Sequence, residues 1–158
     1  MPFDCTPVLD LPKQLPPLDC DAAASHAVAR TPNPIRIRPI PASYVIQQPE
    51  RIRAAVAVLT RARDLIADER RWCKRFSARN RLGLPVSVQS ASAWRFCAIG
   101  AIQRAAWELG LPFNEPGSAL EWQTARPIPD WNDDRHRTHA EVVVAFDAAI
   151  GALKIMPV

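Results

Sequence analysis

Cys97 and His139 are the residues of this chain best suited to covalent chemistry. A cysteine nucleophile needs a thiolate, a base within hydrogen-bond reach and a third group that orients the imidazole. Asn132 and Asp133 supply that third type, in the polar loop of residues 130–137. The same loop suggests a second chemistry. His136 and His139 stand at i, i+3 beside Asp133, a nitrogen and oxygen set that zinc or a similar divalent ion accepts. A third possibility is recognition without reaction. Arg70, Arg71, Lys74, Arg75, Arg79 and Arg81 place six cations in twelve residues, interleaved with Trp72 and Phe76. Such a mixture suits phosphate contacts plus stacking, or an acidic protein surface.

The elements that must position these groups weaken the first two chemistries. A helix beginning at Ser90 or Ser92 puts Cys97 in its second turn or later. The helix dipole lowers a thiol's pKa only at the N-terminus, so Cys97 reads as a small buried thiol packed on the last helix. His139 begins a helix and His136 precedes it, so helical register does not make them converge, and the positive helix end favours neutral imidazole. Trp131, Asn132 and Asp133 read as a structural turn, since Asn and Asp side chains bond their own backbone. No metal or cofactor is therefore expected. There is no Walker or dinucleotide glycine pattern among the five glycines.

Charge distribution favours the third reading. The net charge is +4, but residues 51–81 carry ten cations against three acids, while residues 82–158 carry six against eight. Basicity thus belongs to one segment. No apolar run is long enough for a membrane span, and the N-terminus lacks the basic and apolar regions of a secretory signal. The cytoplasm is expected, with the four cysteines as free thiols.

A chain of 158 residues suggests one domain with an appendage. Nine of the sixteen prolines fall within residues 1–43, which read as an extended arm. Within it Ile35, Ile37 and Ile40 suggest an edge strand or a strap facing the body. Residues 44–158 form the domain. Three principal helices are predicted near 49–70, 90–109 and 138–154. They pack around Ile52, Val56, Leu59, Ile66, Phe96, Val143, Phe146 and Ile150. Thr138 and Glu141 form a capping box. A small β-hairpin turns at Asn80–Gly83, flanked by Phe76 and by Val86 to Val88. A short helix is expected over 116–125, and extended chain at Pro127 and Pro129.

Four local patterns resemble a bacterial family known only as domain of unknown function 6197. They are the helix ending at Trp72 and Cys73; Gly83 and Pro85 two apart; Ala93, Phe96, Cys97, Ala98, Gly100 and Ala101; and Trp131 to Asp133 followed by Thr138, His139, Glu141 and Val142. The resemblance covers roughly residues 50–152. It implies a compact, mainly helical domain and carries no activity.

These readings converge on a mainly α protein that binds rather than catalyses. The expected function is an adaptor presenting Arg70, Arg71, Trp72, Lys74, Arg75, Arg79 and Arg81 to a nucleic acid or acidic protein. The alternatives are a thiol hydrolase or transferase using Cys97 and His139, and a homo-oligomeric scaffold assembled through the arm.

Overall fold

A computed structural model describes residues 37–40 and 48–155. The chain divides into a unit of residues 1–31 and a unit of residues 32–158, and every described residue lies in the second. The predicted arm, and any oligomer built through it, thus lies outside the described residues except at 37–40.

Five helices carry the fold. They are α1 (Pro49–Leu65), α2 (Ala98–Leu109), α3 (Asn114–Thr124), α4 (Ile128–Asn132) and α5 (His139–Lys154). Helix α1 packs against both α2 and α5, and α3 packs against α5. Ile52, Ala55, Val58, Leu59, Ala62 and Leu65 form the buried stripe of α1. Val142, Ala145, Phe146, Ala149, Ile150 and Leu153 form that of α5. The stripe on α5 therefore begins one residue earlier than predicted, leaving Val143 half-buried. Val56 is likewise only packed against the core's edge.

The arginines of α1 off this stripe join neighbouring helices. Arg51 pairs with Glu115 of α3. Arg61 reaches Glu108 of α2 at 2.8 Å, and Arg63 reaches Asp147 of α5 at 2.6 Å. Such solvent-facing pairs contribute only about 0–1 kcal/mol each, so they orient the helices more than they hold them.

Three predicted boundaries differ. The first helix ends at Leu65, and a separate 3-10 turn spans Glu69–Arg71. Asp68 causes the break, because its carboxylate accepts from the Arg70 backbone N–H and offers the chain an alternative to helix. The second helix starts at Ala98, not at Ser90 or Ser92, because residues 95–96 are a strand. Residues 128–132, expected to be extended, form α4. Its entry uses Pro127 as cap and Pro129 in the first turn, where a missing N–H costs nothing.

The small antiparallel hairpin is present, but its second strand lies further along the chain than predicted. Strand β1 (Ala78–Arg79) pairs antiparallel with β2 (Arg95–Phe96), Ala78 opposite Phe96 and Arg79 opposite Arg95. The turn at Asn80–Gly83 is present, with Asn80 Oδ1 accepting from the Leu82 and Leu84 N–H groups. The return chain makes an isolated bridge, Arg79 with Pro85, in which the Asn80 N–H donates to the Leu84 carbonyl and the Val86 N–H to the Ala78 carbonyl. Residues 37–40 form no strand. The side-chain amide of buried Gln123 takes both backbone groups of Arg38, at 3.0 and 2.9 Å. Ile40 packs on the core edge, as a strap would, whereas Ile37 remains 49% exposed.

Candidate functional site

Cys97 is the N-cap of α2, so its predicted place inside the helix is overturned. Its Sγ accepts from the Gly100 N–H at 3.4 Å. The position is one where a thiol could be activated, yet burial dominates and pushes the thiol above its ordinary pKa, with the Gly100 N–H opposing only in part. Cys73 is pushed up to about 12, chiefly by burial and next by the neighbouring Cys97. Its Sγ donates to the Phe76 carbonyl. His139 turns elsewhere: its Nε2–H donates to the Ile66 carbonyl at 2.6 Å, just beyond the end of α1. Among the described residues, no hydrogen bond joins Cys97 to His139.

Asn132 is fully buried, and its side chain makes four hydrogen bonds. Its Oδ1 accepts from Trp72 Nε1 at 2.8 Å and from the Ala98 N–H at 3.1 Å. Its Nδ2 donates to the Cys73 carbonyl and to Asp133 Oδ1. Asn132 therefore ties the segment after α1 to the start of α2 and leaves no group free to orient an imidazole. Asp133 also accepts from the Arg75 N–H. Exposed His136 accepts from Arg135 Nε. The structure thus does not gather His136, His139 and Asp133 as ligands, and no group of three His, Cys, Asp or Glu among the described residues could hold a metal ion.

The six predicted cations separate by role. Arg70 is neutralised by Asp68, whose carboxyl it holds down to about 2. Lys74 donates to the carbonyls of Asp134 and Arg137 while lying 5.2 Å from the Trp72 ring centroid. That ring is tilted against His139 and bonded to Asn132, so Trp72 is an internal anchor. Arg75 holds φ 72°, a left-handed position fixed by its N–H bond to Asp133.

Arg71, Arg79 and Arg81 come together with a residue the sequence reading had assigned to a helix, Arg95. The guanidinium carbons of Arg71, Arg81 and Arg95 lie 5.6, 5.5 and 5.3 Å from the centroid of one ring, Trp94. Arg79 sits directly opposite Arg95 in the ladder and lies 4.3 Å from the Phe76 centroid. Arg71 is held by its Nε bond to the Trp94 carbonyl, at 2.6 Å. Elsewhere Arg51, Arg61, Arg63, Arg70, Arg104, Arg126 and Arg137 all pair with carboxylates. These four form no ion pair among the described residues. Arg95 Nε is buried without a hydrogen-bond partner. Beside Trp94 opens a cleft of about 380 Å³, with Asn80 to Leu82 on one side and Ala91 to Ala93 on the other.

The adjacency of Trp94 and Arg95 was the available sequence signal. The helix assigned over 90–109 concealed it, because the opposing Arg79 becomes visible only once β2 is paired.

Residues 51–152 match the model of a family described as "Family of unknown function (DUF6197)". The chain belongs to this family. No curated protein and no solved structure matches it. The family's span takes in both the Asn132 hub and the arginines around Trp94, and its description assigns neither a role. Among the described residues, no helix is long and apolar enough to cross a membrane.

Proposed function

We propose that this protein is a binding module whose arginine cluster at Trp94 receives an anionic partner. The observation that carries the reading is convergence without a counter-ion. Arg38, Arg53, Arg75 and Arg135 also lack a carboxylate among the described residues, but Arg71, Arg81 and Arg95 lie on one ring, Trp94, with Arg79 opposite Arg95, and none of these four has an ion pair. Like charges directly opposite in a ladder are destabilising, as Arg79 and Arg95 are. A protein that carries such an arrangement gains when an anion settles on it. The proposed contact surface is centred on Trp94 rather than on the linear block, since Lys74 and Trp72 bond within the protein and exposed Arg70 already pairs with Asp68.

Two triple variants on a heparin column test this. Arg71, Arg81 and Arg95 are changed to Gln in one, and Arg51, Arg61 and Arg63 in the other, so that net charge falls equally. The expected outcome is early elution of the first and near-wild-type retention of the second. Equal shifts would show that only net charge matters, and the cluster would lose its standing as a site.

A further inference from the structure

We infer that the cleft beside Trp94 is a subsite for single-stranded nucleic acid, with a backbone phosphate between guanidinium groups and a base against the aromatic surface. The inference rests on the reading above, that this cluster meets an anion, and it names which one.

Geometry brings the cations to a common point. Three guanidinium groups lie over one indole, within 5.6 Å of its centroid. A ring has two faces, so at least two of the three share one. An oxyanion bridging that pair relieves their repulsion and can engage several N–H donors at once, since each guanidinium carries five. Arg95 and Arg81 have no hydrogen-bond acceptor among the described residues, and Arg95 Nε is buried in that state.

The surroundings distinguish a nucleotide from a carboxylate. The cleft, at about 380 Å³, is open to solvent and is lined by Arg81 and Trp94 of the cluster, so it suits a segment of an extended chain lying across it. The turn exposes apolar surface, with Leu82 84% and Leu84 57% exposed, and Phe76 before β1 is 42% exposed. An acidic peptide offers charge at its carboxylates, and a flat face only where it carries an aromatic side chain. A single strand offers both, because its phosphates alternate with unstacked bases that lie on aromatic rings. Duplex nucleic acid hides those faces and is read by a helix or ribbon laid in a groove. Here the cations cluster on a two-residue ladder and a turn, too short to fill one. Exposed Arg81 contacts the Trp94 ring and makes no hydrogen bond among the described residues, so it is the group that can swing from the ring onto a phosphate and admit a base.

The test titrates the full chain, by fluorescence anisotropy, with a labelled oligothymidylate of about a dozen nucleotides. A duplex of the same length and polyglutamate are the comparisons, each from about 50 mM to about 200 mM salt. The single strand is expected to bind at least about tenfold more tightly than the duplex. Its log–log salt slope should be near −2, about −0.7 for each of roughly three phosphates. Arg81→Gln and Arg95→Gln should each make the slope shallower by about 0.7. Trp94→Ala should weaken binding about five- to hundredfold, and Trp94→Phe should recover most of that. Arg81→Gln, on an exposed turn, keeps the test usable if a Trp94 variant fails to fold. A wild-type slope in that variant, at unchanged melting temperature, overturns the inference, as does equal or tighter duplex binding. Binding of polyglutamate without the oligonucleotide also defeats it, while leaving the anionic-partner reading intact. Failure of every polyanion to bind at the lowest salt removes both.

Discussion

Asn132 has two donors and two lone-pair acceptors on its side chain, and the structure engages all four. Removing it leaves Trp72 Nε1, the Ala98 N–H and the Cys73 carbonyl without a partner inside the protein. Each buried orphan costs about 1–3 kcal/mol. Asn132→Ala is therefore expected to lose about 3 kcal/mol or more, measured as a fall in urea midpoint at unchanged m-value. Cys73 makes a pH-dependent contribution. Its folded pKa, about 12, stands above the ordinary 9.0. Between those values the unfolded chain has released a proton that the folded chain keeps, so stability falls as pH rises. The contribution is fully present below pH ~9 and is lost progressively towards pH ~12. Urea midpoints recorded across the alkaline range should therefore fall less steeply in Cys73→Ala than in wild type.

The start of α2 is decided by a close approach rather than by helix propensity. A Cβ on Gly100 would sit 1.8 Å from the Ser77 carbonyl oxygen. The backbone of residue 77 also accepts from the Cys97 N–H at 3.2 Å. Only glycine lets the chain before β1 lie against the first turn of α2. Gly100→Ala is expected to cost about 3 kcal/mol, at the upper end of overpacking penalties. Thermal denaturation will register it, and an unchanged melting temperature would show that Ser77 moves away freely. The start of α5 was legible beforehand, because its signal is local. Thr138 Oγ1 accepts from the Glu141 N–H, and Glu141 returns a bond to the Thr138 N–H. The start of α2 was not legible. Ser90 and Ser92 have the composition of caps, but their side chains bond each other and the intervening turn. The thiol of Cys97 does the capping.

Across the whole molecule, charge is sorted by location. Arg51, Arg61 and Arg63 of α1 meet carboxylates of neighbouring helices, while Arg71, Arg79, Arg81 and Arg95 around the short ladder stack on aromatic rings. The sequence placed the excess of cations within residues 51–81. Arg51, Arg61 and Arg63 take part of that excess into α1's ion pairs, and Arg71, Arg79 and Arg81 gather with Arg95 from beyond the turn.

Residue order alone determined the mainly helical class, the two longest helices, the Thr138 cap, the turn at Asn80–Gly83 and the family pattern, because each arises from contacts within a few residues. It also marked Trp131 to Asp133 as structural, but as a turn bonding its own backbone, whereas Asn132 lies in α4 and bonds residues 72, 73 and 98. Only the tertiary structure decided that Phe96 and Arg95 are strand, that Cys97 caps α2, and that Trp94 gathers three guanidinium groups. Those facts depend on which distant backbone lies alongside, Ser77 against Gly100 and Arg79 against Arg95. Residues 77 and 100, or 79 and 95, become neighbours only when the chain closes, and no local propensity records that closure.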